Sequence, residues 1–198
     1  MNPQTASVLD LFQQTGAYLR GHFRLTSGLH SPEYLQCALV LQYPAHAERL
    51  GQGLAEVLGS LLGGAPKPAL VASPALGGIV IGHEVARALG ARFVFTEREA
   101  SGKMVLRRGF SVDPGERAVV VEDVVTTGGS TREVVEALQA GGAQVLAAAS
   151  IIDRSGGQAQ VGVPRLALVT LNVVTYPPDN CPLCQQGIPV VKPGSRNA

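Results

Sequence analysis

The feature that most limits the folds open to this chain is an alternation, through its middle, of short unbroken apolar runs with helix-periodic segments. Residues 69–73 (ALVAS), 92–96 (RFVFT), 118–122 (AVVVE), 145–153 (VLAAASIID) and 166–174 (LALVTLNVV) are continuous in apolar residues. They read as strands buried on both faces. Between them, residues 78–89 repeat Ile79, Gly82, Val85, Ala86 and Leu89 at three- and four-residue spacing, which predicts a helix. Residues 130–140 predict another, stopped by Gly141-Gly142. Strands of this kind joined by helices imply an α/β fold: a doubly wound, mostly parallel central sheet with helices on both faces. Ligands of such sheets bind beyond the carboxyl ends of the strands. The segments to weigh are therefore 73–78, 96–103, 122–130 and 153–157.

The ends break the alternation. Residues 1–42 hold one short amphipathic helix (Val8, Leu9, Leu11, Phe12) and then a loop-rich stretch, FRLTSGLHSPEY, while residues 176–198 are rich in proline. The reading is a single domain, residues 1–198, with a core over about 43–175. Residues 1–42 and 176–198 form a small lobe packed over the sheet.

Composition excludes several classes. With 198 residues the chain can bury a core without a disulfide framework, and three cysteines suit a reducing, cytoplasmic setting. A net charge of +1 argues against a nucleic-acid or membrane-surface partner. No apolar run approaches the 18 or more residues of a membrane span, and the N-terminus lacks the basic region of a secretion signal.

Chemistry concentrates in VVVEDVVTTGGST, residues 119–131. A strand runs into two adjacent carboxylates, Glu122 and Asp123. After Val124 and Val125 comes a turn of small residues, Thr126, Thr127, Gly128, Gly129 and Ser130, and then a helix. Small residues let several amide N–H groups converge on one anion, and the helix N-terminus favours phosphate. The hydroxyls of Thr127, Ser130 or Thr131 can donate to the same oxygens. The two acids would repel a phosphate unless sugar hydroxyls or a divalent cation satisfy them. A ligand with a phosphate at one end and a sugar diol in the middle fits. The plain structural alternative is a capping box of Ser130 with Glu133, which leaves the strand-end acids unexplained. Neither GxxxxGK[ST] nor GxGxxG is present.

VVVEDVVTTGGST resembles the phosphoribosyl pyrophosphate signature of the type I phosphoribosyltransferases. HFRLTSGLHSPEY (residues 22–34) resembles the substrate-covering hood of their orotate-using branch, and the likeness extends through SPALGGI, GKMVLRRGF and Asp153-Arg154. The resemblance implies transfer of a 5-phosphoribosyl group from phosphoribosyl pyrophosphate to orotate, releasing pyrophosphate, in pyrimidine biosynthesis. It implies Mg²⁺ carried mainly on substrate oxygens, with no protein ligand assigned, and a homodimer. It places the ribose hydroxyls on Glu122 and Asp123, and the 5-phosphate on the turn from Thr126 to Ser130. The leaving pyrophosphate falls to the amides of Ala75, Leu76 and Gly77. A flexible catalytic loop over residues 98–109 would supply Arg98 and Lys103, with Arg107 or Arg108 as substitutes. Asp123, Arg98 and Lys103 are the catalytic candidates. Arg154 would pair with the orotate carboxylate, Thr126 would touch the same base, and Thr26, Ser27 and Gly28 would hold the pyrimidine. Family members often carry lysines where this chain has Thr26 and Gly77, and a loop histidine that it lacks. Two other readings remain: a phosphoribosyltransferase for another purine or pyrimidine, and a non-catalytic regulatory protein that senses the donor.

Cys181-Pro182-Leu183-Cys184 has the spacing of half a zinc site, but a structural zinc takes four ligands and Cys37 is the one other cysteine. A shared site would need a histidine or a second subunit, so the spacing alone reads as two thiols packed in a lobe. His22, His46 and His83 read as structural; His30 could approach substrate or simply pack.

Overall fold

The computed structural model describes residues 3–25 and 27–193, with side chains from residue 7 onward. It divides into two compact units, Leu41–Leu171 and, together, Met1–Val40 with Asn172–Ala198.

In the larger unit, α3 (Pro44–Leu62) precedes β3 (Leu70–Pro74), α4 (Gly78–Leu89), β4 (Arg92–Arg98), β5 (Met104–Leu106) and β6 (Arg117–Val125). Then follow α5 (Gly129–Ala140), β7 (Gln144–Asp153) and β8 (Arg165–Thr170). The sheet order is β5-β4-β3-β6-β7-β8. All neighbours run parallel except β4 and β5, which form an antiparallel hairpin at the edge. The long apolar runs become the central strands because only there are both faces covered. Leu70, Ala72, Ala118, Val120 and Ala148 pack with Val134, Val135 and Leu138 of α5. Val71, Val119 and Val121 alternate with them and face the other way, toward the side on which α3 and α4 pack. Truncating a fully buried side chain such as Leu138 to alanine would cost about 2–5 kcal/mol.

Helix α3 was absent from the elements the sequence predicts, although its signal is present. Pro44 opens it, Ala47, Leu50, Gly51, Leu54 and Leu58 form its buried stripe, and Gly63 closes it at φ 57°. The run over residues 166–174 is shorter as a strand than predicted: β8 ends at Thr170.

In the smaller unit, α1 (Pro3–Gln14) buries Val8, Leu11 and Phe12. The stretch read as loop-rich instead forms an antiparallel hairpin of β1 (Tyr18–Arg24) and β2 (His30–Leu35). Pro32 is tolerated there because a two-stranded ribbon has free edges. A short helix, α2 (Cys37–Leu41), follows. The C-terminal segment contributes a 3₁₀ turn (Pro178–Asn180) and one helical turn, α6 (Pro182–Gln185). It is tied to the hairpin by bridges between Phe23 and Val191 and between His30 and Tyr176.

Candidate active site

The strand order creates one switch point. β3 and β6 are parallel neighbours, but the chain leaves β3 through α4 toward β4, and leaves β6 through α5 toward β7, on the opposite side. The crossovers diverge and leave a crevice beyond the carboxyl ends of β3 and β6. The loop after β3 contains Ala75, Leu76 and Gly77, and the end of β6 contains Glu122 and Asp123. Both segments singled out in the sequence therefore meet at the place where this topology binds ligands.

The two segments touch through a glycine. A β-carbon on Gly77 would lie 2.7 Å from both carboxylate oxygens of Asp123, closer than any real contact allows. Gly78 is similarly crowded by the Ser73 side chain and the Val121 carbonyl, at 3.0 and 3.1 Å. The loop is held from the other side by the Ala75 amide, which donates to the Thr96 carbonyl at 2.9 Å, so of the three amides expected to meet pyrophosphate this one is already spent. The Ala75–Leu76 peptide is cis. A side chain at position 77 has no room here.

Burial sets the electrostatics of the acid pair. It pushes the Glu122 carboxyl up to about 7, with the Thr131 hydroxyl opposing the shift and the neighbouring Asp123 charge adding to it. Burial also raises Asp123, against the stabilising amide of Val124, which donates to Oδ1 at 2.9 Å. Two partly desolvated acids side by side are a set of hard oxygen acceptors that hydroxyl donors or a divalent cation would satisfy, so the residues present fit Mg²⁺.

The turn after them is built as an amide nest. Gly128 stands at φ 79° as the N-cap of α5, and a β-carbon there would meet the Val161 side chain at 2.8 Å. No side chain caps the helix, so its first amides stay unspent, and Thr126 and Thr127 are exposed beside them. Two expectations change here. Thr131 is buried and donates to Glu122 Oε2, so its hydroxyl orients an acid rather than serving a phosphate. The Ser130–Glu133 capping box does not form: the N-cap is Gly128, and Glu133 pairs instead with Arg98 at 2.8 Å.

Much of the segment expected to be a catalytic loop, residues 98–106, forms the turn and second strand of the β4–β5 hairpin. Arg98 ends β4, where its guanidinium holds Glu133 and donates to the Gly102 carbonyl. Arg108 is paired with Glu97 at 2.8 Å. Lys103 lies in the turn, exposed, and its ammonium joins no ion pair among the described residues.

At the end of β7 the Arg154 amide donates to the Val125 carbonyl at 2.8 Å, which sets this arginine beside the β6 terminus. Asp153 is locked below it. Burial opposes its ionisation, but the Ser155 hydroxyl and amide and the Arg165 guanidinium hold its carboxyl below the usual range. This network was not read from the sequence, where Asp153 marked a strand end and, with Arg154, shared in the resemblance. Ser27 and Gly28 lie in the hairpin turn of the smaller unit, where the Gly28 amide donates to Leu25 at 3.0 Å. Thr26 lies outside the described residues.

Comparison with known proteins agrees with this geometry. The Phosphoribosyl transferase domain family matches residues 44–163. An orotate phosphoribosyltransferase of Heliobacterium modesticaldum is 54% identical over 189 residues, covering 96% of this chain and 97% of that protein. One from Pelotomaculum thermopropionicum is also 54% identical, covering 96% of each chain. Among solved structures, the orotate phosphoribosyltransferase of Aeropyrum pernix is similar with a TM-score of 0.65 at 27% identity, covering 83% of this chain and 93% of that one. An acid-tipped strand feeding an amide nest at the switch point, and these matches, lead to one placement: the chain belongs to the phosphoribosyl transferase domain family and, within it, to the orotate phosphoribosyltransferases.

Proposed function

We propose that the chain transfers a 5-phosphoribosyl group from phosphoribosyl pyrophosphate to orotate, giving orotidine 5'-monophosphate and pyrophosphate. The observation that carries this reading is the contact of Gly77 with Asp123. It brings a loop of exposed amides against two acids and a phosphate nest, an arrangement matched to pyrophosphate, ribose diol and 5-phosphate in one molecule.

In this reading the amides of Thr126 to Ser130 hold the 5-phosphate and fix the donor's register. Glu122 and Asp123 accept hydrogen bonds from the ribose hydroxyls, and Thr131 orients Glu122 for that task. The amides of Leu76 and Gly77 receive the pyrophosphate, whose charge grows as the ribose C–O bond breaks, while Ala75 anchors the loop on Thr96. Lys103 and Arg98 add positive charge, which is worth most once water is excluded. For Arg98 this requires exchanging Glu133 for the donor. Arg154 pairs with the orotate carboxylate beside Thr126, and Ser27 and Gly28 contribute contacts to the pyrimidine. Orotate, an anion, attacks the sugar through a ring nitrogen, and no covalent enzyme intermediate is needed. Catalysis rests on positioning and charge complementarity. Mg²⁺, held by donor oxygens near the two acids, would supply charge neutralisation for the leaving group.

A homodimer and a cytoplasmic setting accompany this reading. Among the described residues no helix is long and apolar enough to cross a membrane. The test is orotate consumption, followed by absorbance with Mg²⁺ and phosphoribosyl pyrophosphate present. Stoichiometric loss of orotate with pyrophosphate release is expected. Turnover of adenine or uracil in its place, or donor binding without turnover, would refute it.

A further inference from the structure

The CPLC tail acquires two partners in the fold that its spacing did not reveal. His22 of β1 and His30 of β2 face each other, ring centroids 4.7 Å apart, with His22 Nε2 2.8 Å from His30 Nδ1. Cys181 Sγ is 3.5 Å from His22 Nε2. Cys184 Sγ is 3.7 Å from the same nitrogen and 3.3 Å from His30 Nδ1. The four donor atoms lie within 4.8 Å of one another. We propose that His22, His30, Cys181 and Cys184 form a structural Zn²⁺ site that fastens the C-terminal segment to the β1–β2 hairpin.

Three observations support the assignment. The first is distance. With Zn–N about 2.0–2.1 Å and Zn–S about 2.3 Å, a tetrahedron has nitrogen–sulfur edges of about 3.5 Å. Three of the four nitrogen–sulfur separations, 3.3, 3.5 and 3.7 Å, bracket that value, and the fourth lies within 4.8 Å. The nitrogen pair needs to open by about 0.5 Å to reach the corresponding edge.

The second is the tautomer. His22 Nδ1 lies 2.7 Å from the Ile188 carbonyl, which can only accept. Nδ1 therefore carries the hydrogen, and Nε2 presents a bare lone pair to His30 and both sulfurs. A ligating histidine fixed through its other nitrogen by a carbonyl is the usual outer partner of a zinc site. A metal-free cluster could instead have a His30 N–H donating to His22, and the experiment below separates the two.

The third is need and access. Among the described residues the C-terminal segment has two short helical turns, and two isolated bridges and the His22–Ile188 hydrogen bond join it to the hairpin. Small units with little regular structure commonly rely on a metal or disulfide. His22, His30 and Cys181 are buried while Cys184 is exposed, which leaves one side open for metal entry. Two thiols and two imidazoles are a soft, tetrahedral donor set that selects zinc over Mg²⁺. Binding would release one proton from each thiol and none from the imidazoles.

The test uses the untagged full chain, reduced and stripped of metal, titrated with Co²⁺ and then Zn²⁺. One equivalent of Co²⁺ should give tetrahedral visible bands with a thiolate charge-transfer band, and Zn²⁺ should abolish both. In Cys181→Ser/Cys184→Ser, zinc content by mass spectrometry should fall at least tenfold from about one per chain. Because that variant could misfold, zinc-edge X-ray absorption on the unaltered chain provides an independent readout, with two nitrogen and two sulfur ligands expected. No thiolate band in the reduced chain, a shell of nitrogen and oxygen only, or a Cys181–Cys184 disulfide in freshly extracted protein would each overturn the proposal.

Discussion

The α-carbon of Gly77 is turned toward Asp123 so closely that a methyl group there would sit 2.7 Å from both carboxylate oxygens. Through this one approach, the loop beyond β3 and the tip of β6 behave as a single surface. Gly77→Ala should therefore displace either the loop amides or the acid. Displacements of about 1 Å near reacting groups can cost about 100-fold in rate. We expect kcat/KM for the donor to fall by about that factor with little change in melting temperature. Wild-type kinetics would mean the contact does not matter to the site.

Glu122 gives the site a pH dependence. Its carboxyl is raised to about 7 by burial, and only the ionised form accepts hydroxyls through both oxygens. Donor affinity should weaken by about tenfold per pH unit below about 7, beyond the donor's own titration. Glu122→Gln should lack that additional slope. Stability moves in the opposite sense. Because the folded chain favours the protonated acid, this contribution is complete below the ordinary value of 4.5 and is lost as pH rises through about 7. The ligand-free wild type should thus lose stability relative to Glu122→Gln between pH 5 and pH 8 (~3 pH units), as thermal melts would show.

Lys103 is the cation in the hairpin turn that joins no ion pair among the described residues, whereas Arg98 and Arg108 are matched to Glu133 and Glu97. Lys103→Ala should lower kcat by about 100-fold while donor affinity changes by less than about threefold, since leaving-group charge grows only in the transition state. Equal losses in both quantities would reassign Lys103 to ground-state binding.

Arg154→Ala should raise KM for orotate by about 10- to 100-fold, since a charged pair is lost, and leave KM for the donor within about threefold. Arg154→Lys should recover little if the guanidinium fork is what matters. Equal effects on both substrates would show that the side chain does not single out orotate, since the backbone bond to Val125 survives the substitution.

The sheet was legible because its central strands are buried on both faces and carry no polar alternation, as in residues 118–122. The acid pair and nest were legible because a capping box would account for Ser130 and Glu133 but not for Glu-Asp ahead of Thr-Thr-Gly-Gly. The hairpin of β1 and β2 was not, since Gly28 and Pro32 read as loop signals although a two-stranded ribbon accommodates both. The true roles of Thr131 and Glu133 depended on neighbours distant in sequence: Glu122 lies nine residues before Thr131, and Arg98 sits on another strand. His22 and Cys181 lie farther apart still, 159 residues along the chain, and no local spacing connects them.

The most direct test of the site is a crystal structure of the chain with Mg²⁺ and phosphoribosyl pyrophosphate. The ribose hydroxyls should fall within hydrogen-bonding reach of Glu122 and Asp123, with the 5-phosphate on the amides from Thr126 to Ser130. A donor bound with its pyrophosphate in that nest, or bound away from the crevice between β3 and β6, would contradict the assignment.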